Sequence, residues 1–130
     1  MALECVVVTP EATALQEKAD FVALPLFDGE IGIGTNHSPL IGRLGFGEMR
    51  IKTGGAVRSY YLDGGFVQVA DNVVSVLTNR AIPTDQIDVA AAREQLASAA
   101  KRPANSPELL DIRERMMLQA RAQIRVGEKS

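Results

Sequence analysis

The residues best equipped for chemistry lie close together. Glu30 and His37, the only histidine, put a carboxylate near an imidazole, and Ser38 follows directly. With Asp28 they make a Ser-His-Asp set on paper. Nucleophilic catalysis needs more than the residue types: the serine must sit on an exposed, strained turn, with the base in hydrogen-bond reach. No G-x-S-x-G elbow is present. A catalytic zinc needs three protein ligands, whereas Glu30 and His37 supply two, and no Cys or His cluster adds a third. His37, in a turn before Ser38-Pro39, therefore reads as a contact or structural residue. Gly32-x-Gly34 and Gly42-x-x-Gly45-x-Gly47 lack the strand-to-helix setting of a phosphate cradle and read as turns and bulges. Cys5, the lone cysteine, lies in an apolar run and reads as a small buried hydrophobe. We expect no catalytic residue, no metal and no cofactor, and a binding or structural role.

Composition changes near Asp85, and the boundary is expected between Pro83 and Gln86. Before it, short β-type runs alternate with turns. The runs are Leu3–Thr9, Ala19–Leu26, Glu30–Ile33, Met49–Thr53, Val57–Leu62, Phe66–Ala70 and Val73–Asn79. Asp28-Gly29, Gly54-Gly55, Asp63-Gly64-Gly65 and Asp71-Asn72 read as turns. This pattern predicts an all-β sandwich of about ten short antiparallel strands over residues 1–85. After the boundary glycine occurs once, at Gly127, and alanine dominates. Ile87–Lys101 predicts one helix, ended by Pro103. Ser106-Pro107-Glu108 supplies an N-cap, a proline at the first position and an acidic first turn. Leu109, Ile112, Met116, Ala120 and Ile124 then recur at helical spacing, with Gly127 as a C-cap. Residues 86–130 thus predict an antiparallel helical hairpin.

Of the 130 residues, 46% are apolar, so a packed core is expected and wholesale disorder is not. No apolar run approaches the roughly 18 residues of a membrane span. Met1–Pro10 carries Glu4 and no basic residue, unlike a signal peptide. Residues 1–85 carry six Lys/Arg and ten Asp/Glu, net −4; residues 86–130 carry eight and six, net +2. Arg113–Ser130 holds five basic and two acidic residues. That mild basic bias argues against nucleic acid and suits an acidic protein partner or a solvated helix face.

The ordered set of segments resembles a known family. Gly29-Glu30-Ile31-Gly32-Ile33-Gly34-Thr35-Asn36-His37-Ser38-Pro39-Leu40 is similar to the pattern G-E/Q-x-G-I-x-x-x-H-x-P-L of the epsilon subunit of rotary F-type ATP synthases. Tyr60-Tyr61-Leu62-Asp63-Gly64-Gly65-Phe66-Val67-Gln68-Val69 resembles that family's later strand–Gly-Gly–strand. Val6–Thr9 with Pro10, Val74–Leu77, and Arg125-Val126 also fit, so the similarity runs over nearly the whole chain. The resemblance implies a non-catalytic central-stalk subunit. Its sandwich would bind the gamma subunit on one side and polar loops of the membrane c-ring on another, without inserting in the bilayer. Glu30, Ile33, His37, Ser38 and Pro39 match the family's c-ring contact. The hairpin would be regulatory: extended along gamma, it reaches the alpha and beta catalytic subunits and blocks ATP hydrolysis. Arg113, Arg115, Arg121 and Arg125 would then face an acidic segment of beta. The implied location is peripheral, on the cytoplasmic face of the inner (plasma) membrane.

Two departures stand out. Some members bind ATP through I/L-D-x-x-R-A at the start of the first helix. Here Ile87-Asp88-Val89-Ala90-Ala91-Ala92 has alanine where the arginine belongs. Arg93 is two positions later, about 200° around a helix, so the motif is degenerate and ATP binding is not expected. The sequence also ends five residues after Arg125, a short end for an inhibitory hairpin. The residues alone leave open an unrelated sandwich adaptor with a helical hairpin, and a small enzyme using Glu30 and His37.

Overall fold

The computed structural model describes residues 3–129. The chain divides into two compact units, one ending at Pro83 and the other beginning at Thr84.

The first unit is all strand. Its elements are β1 (Leu3–Val8), β2 (Thr13–Ala19), β3 (Phe21–Leu26), β4 (Gly29–Ile33), β5 (Leu40–Thr53), β6 (Ala56–Ala70), β7 (Val73–Leu77) and β8 (Ala81–Pro83). They hydrogen-bond in the order β2-β1-β7-β6-β5-β3-β4, with β8 on β6. The sheet coils back on itself so that its edge strand β2 reaches β5: Thr53 Oγ1 of β5 donates to the carbonyl of Lys18 in β2 at 3.1 Å. One core lies between the layers. Leu3, Cys5 and Val7 of β1, Val22 and Leu24 of β3, Met49 and Ile51 of β5, and Val67 and Val69 of β6 are its members. Their alternation with outward residues is the period-two pattern of a half-buried strand.

The sandwich is as expected, but its strands differ. Among the described residues there are eight rather than ten, and the β1–β7 pairing is parallel. The count drops because β5 and β6 are long, 14 and 15 residues, and run through the glycines read as punctuation. They pair in one unbroken register from Leu40 and Val69 to Thr53 and Ala56 around Gly54-Gly55. Asp63-Gly64-Gly65 is not a turn. It is where β6 exchanges one neighbour for another, β8 at Tyr60–Leu62 and β7 at Phe66–Ala70. Gly65 has φ +113, and a Cβ there would stand 1.8 Å from the Leu77 carbonyl oxygen, so the crossing requires glycine. The Asp71-Asn72 turn is as expected, with φ of 51 and 62. The strand β2, TALQEKA, is too polar to stand out.

A buried polar network braces the same crossing. Asp63 is almost fully buried. Its carboxylate accepts from the Tyr61 hydroxyl at 2.9 Å and from Arg80 Nε at 3.3 Å, while Thr78 Oγ1 accepts from Asp63 N at 3.1 Å.

The second unit holds a single 3-10 turn, Thr84–Gln86, then α1 (Val89–Ala100) and α2 (Pro107–Glu128). Ser106 caps α2, its side chain accepting from Leu109 N at 3.2 Å, with Pro107 in the first turn. The helices are antiparallel: Gln95 Nε2 donates to Gln119 Oε1 at 3.2 Å, and Gly127 faces Val89 and Ile87. Gly127 is therefore not a C-cap. It lies inside α2, where a Cβ would come 2.6 Å from a Val89 methyl, so it permits close helix approach. Of the expected stripe, Ala120 is buried and Met116 and Ile124 half-buried, but Leu109 and Ile112 are exposed. The reason is length: α2 has 22 residues against 12 in α1, and with Gly127 set against Val89 its first turns run past α1.

Candidate functional site

The loop from Gly29 to Leu40 begins as edge strand β4, which pairs only with β3, Pro25 opposite Glu30 and Val22 opposite Ile33. It then leaves the sheet through a turn at Thr35-Asn36. Asn36 holds φ 61, a left-handed conformation that asparagine tolerates better than most residues. Two bonds tie it to the neighbouring hairpin turn: Asn36 N donates to Asn72 Oδ1 at 2.6 Å, and Asn72 Nδ2 donates to Asn36 Oδ1 at 3.3 Å. The loop is thus fastened at its tip to β6–β7, which stiffens it without burying it.

Glu30, exposed on β4, accepts from Arg50 Nη2 of β5 at 2.6 Å. Arg50 Nη1 also reaches Glu48 at 3.3 Å. The hydrogen bond to Glu30 is the main cause that raises the Arg50 pKa above its ordinary value, against a smaller opposing effect of desolvation. This guanidinium stays charged at any working pH. His37 is half-buried, with Nδ1 2.7 Å from the Ser38 carbonyl oxygen. A carbonyl oxygen only accepts, so that contact needs the proton on Nδ1. Ser38 and Pro39 are exposed. Ile33 is different: its side chain is wholly buried in the core. It supports the loop from beneath and offers no surface to a partner.

Among the described residues no hydrogen bond or ion pair joins His37 to Asp28 or Glu30, and His37 engages the backbone of Ser38 rather than its hydroxyl. The paper triad is not assembled. No group of three or more His, Cys, Asp or Glu is arranged to hold a metal among those residues.

The degenerate nucleotide motif is occupied by helix chemistry. Asp88 is the N-cap of α1, its carboxylate accepting from Ala91 N at 3.0 Å. Arg93 is exposed and pairs with Glu128 near the end of α2. Ile87 packs near Gly127. The four α2 arginines do not share one environment. Arg113 is partly buried and 3.7 Å from Glu114, while Arg115 pairs with Asp111 one turn back at 3.3 Å. Arg121 and Arg125 are exposed and make no ion pair among the described residues. At 100° per residue the four positions also spread over roughly 200° of the helix.

One surface escaped sequence reasoning. Across neighbouring strands Val8, Leu77, Phe66 and Arg43 stand in register, on the outward face. Phe66 is 58% and Leu77 51% exposed, and Ile41, 79% exposed, lies on the same strand as Arg43. Arg43 stacks over the exposed Phe27 ring at 4.9 Å. Beside this row, Val8, Pro10, Phe66 and Leu77 line an apolar groove of about 400 Å³. The alternation Phe66 out, Val67 in, Gln68 out, Val69 in was the available signal, but it does not say that an outward Phe needs cover.

Comparison with known proteins closes the description. The family model of the ATP synthase delta/epsilon chain beta-sandwich domain matches residues 2–84. The ATP synthase epsilon chain of Rhodopirellula baltica is 50% identical over 127 residues, 98% of this chain and 99% of the relative. That of Desulfitobacterium hafniense is 39% identical over 121 residues, 93% and 91%. A chain in the Euglena gracilis mitochondrial ATP synthase OSCP/F1/c-ring structure superposes with TM-score 0.82 at 23% identity, covering 93% of this chain and 78% of that one. A chain in the Tetrahymena thermophila mitochondrial ATP synthase central stalk/c-ring structure gives 0.77 at 12% identity, covering 98% and 97%. At such identities the two structures speak for the fold.

Proposed function

This chain belongs to the ATP synthase epsilon chain family, and we propose that its sandwich is the docking body by which a non-catalytic central-stalk subunit joins the gamma subunit to the membrane c-ring. The observation that carries membership is the 50% identity held across 98% of the chain. The docking assignment rests on the loop from Glu30 to Pro39. It is polar at Glu30 and Ser38, exposed there and at Pro39, yet fixed by Asn72 and Arg50. A polar surface of fixed geometry suits loop-to-loop recognition, where charge complementarity sets register. The apolar row of Phe66, Leu77 and Ile41 suits a larger and drier contact, and we assign it to gamma. No described helix is long and apolar enough to cross a membrane, which fits a subunit held to the bilayer through partners, on the cytoplasmic face of the membrane.

The helical unit is assigned a regulatory part. Exposed Leu109, Leu110, Ile112 and Leu118 on α2, together with Arg121 and Arg125, give it a surface able to meet the catalytic alpha and beta subunits. Arg113 and Arg115, engaged with Glu114 and Asp111, contribute after those pairs exchange.

Two measurements test this reading. Tagged full-length chain should co-purify with gamma and the other ATPase subunits from its own cell; recovery without them would overturn it. Changing Glu30 and His37 together should weaken coupling of ATP hydrolysis to ion pumping in membrane vesicles, with the sandwich still folded. Undiminished pumping would remove the c-ring assignment.

A further inference from the structure

Arg50 reaches Glu30 across an intervening strand. Glu30 is on β4, Arg50 on β5, and β3 runs between them. In register, Gly32 of β4, Ala23 of β3 and Arg50 of β5 stand side by side on one face. The Phe21 ring lies over Gly32, where a Cβ would come 2.4 Å from it, and Ala23 carries only a methyl, so at this register β3 puts little bulk between Arg50 and Glu30. Ala23 is buried, at 2% exposure.

The two carboxylates that Arg50 holds are unequal. Glu48 is 15% exposed and Glu30 53%. Nη1 meets the inner one and Nη2 the outer one. A planar guanidinium fork fixes direction as well as charge. The inner carboxylate anchors the fork, and the fork then sets the direction of Glu30. Only Oε1 of Glu30 is engaged; Oε2 accepts no hydrogen bond among the described residues.

A role in the fold alone does not account for the outer contact, because an ion pair as exposed as Arg50–Glu30 contributes little to stability. We propose that Arg50 is a positioning residue for docking: it holds Oε1 of Glu30 so that Oε2 is presented, already oriented, to a hydrogen-bond donor on the partner's polar loop. The inference rests on the docking assignment above and adds the residue that sets its geometry. An unheld glutamate has to be ordered when the partner arrives, which weakens binding by about two- to tenfold.

The test uses membrane vesicles carrying ATP synthase stripped of this subunit, to which full-length variants are returned. Affinity of return and ATP-driven ion pumping are measured, with thermal melting of each variant as the check on folding. Glu30→Gln should dock more weakly. Arg50→Met should dock about two- to tenfold more weakly while still folding. Arg50→Lys, which keeps the charge but not the fork, should fall between Arg50→Met and the wild type. The exchange E30R/R50E rebuilds the outer ion pair but removes the acceptor and sets a second carboxylate beside Glu48, so it should still fold and dock poorly. If Arg50→Met docks like the wild type while Glu30→Gln does not, the positioning role is overturned and the docking assignment stands. If E30R/R50E docks normally, the pair only fastens the loop, and the positioning role is again overturned. If Glu30→Gln itself docks normally, the docking assignment falls and this inference with it.

Discussion

Replacing Gly65 with alanine should cost far more than the same change at Gly64, one residue away in the same strand. At Gly65 two penalties coincide. The backbone sits at φ +113, a region that side-chain-bearing residues rarely enter, at about 1–3 kcal/mol. The new Cβ would also stand 1.8 Å from the Leu77 carbonyl oxygen and 3.0 Å from Thr78 Cα. Both atoms are backbone, so no rotamer change relieves the clash, and β6 must part from β7. Forced overpacking of that kind costs about 1–3 kcal/mol and sometimes more, giving roughly 2–6 kcal/mol in all. Gly64 has φ +76, and its nearest contact is a Phe46 ring carbon at 3.5 Å, so Gly64→Ala carries only the left-handed cost of about 1–2 kcal/mol. The assay is urea unfolding of the full chain followed by tyrosine fluorescence. There is no tryptophan, and both tyrosines, Tyr60 and Tyr61, lie in β6, so the signal reports the sandwich. If the two variants unfold within about 0.5 kcal/mol of each other, near the limit of such comparisons, the account of the crossing is wrong.

Three further outcomes are expected. Asp63→Ala should destabilise the sandwich by about 2–4 kcal/mol, because it strips a buried hydroxyl and a guanidinium of their acceptor. Arg80→Ala, with that side chain half exposed, should cost well under half as much in the same urea titration, and equal losses would refute the ranking. Burial, with the Glu17 carboxylate adding, pushes the Cys5 thiol up to about 12 from its ordinary 9.0. Between those values the unfolded chain binds fewer protons than the folded one, so stability falls as pH rises, by about 1.4 kcal/mol per unit from this group, and is unaffected by it below pH 9. Cys5→Ala should show a flatter decline from pH 9.5 to 11, and parallel curves would count against it. Calorimetry on the full chain should show ATP binding no tighter than millimolar, since Ala91 offers no guanidinium and Asp88 is spent as a helix cap. Micromolar affinity would contradict this.

The sequence carried the architecture where a local signal matched its long-range result. The alternation in Leu3–Val8 and Val73–Leu77 marks strands whatever they pair with, and Ser106-Pro107-Glu108 starts a helix by its own chemistry. What stayed hidden depended on partners distant in the chain. The polar run Thr13–Ala19 is a strand because β1 lends it an edge. That β1 lies parallel to β7 follows from closing the sandwich, which no local pattern encodes. Glycines next to Asp63 look like a turn from sequence, because turns and strand crossings share the need for positive φ. At the candidate site the motif pointed to Glu30, His37, Ser38 and Pro39, but not to what holds them: Arg50 lies 20 and Asn72 36 residues away from the groups they bind. Ile33 came along with the motif although its side chain belongs to the core.

The single register of β5 along β6 has a mechanical consequence. On either side of the Gly45 and Gly64 position β6 carries a different neighbour, β8 or β7, while β5 keeps one register along it, so the two parts are joined by the β5–β6 ladder on both sides of the bend as well as by the packing of Val67 and Met49. Side-chain packing resists compression but yields to sliding. A ladder held in one register resists sliding too, because shear along it loads many hydrogen bonds at once. A twisting load entering at one end of the hairpin therefore arrives at the other with little slack, and the sandwich turns as a single stiff piece.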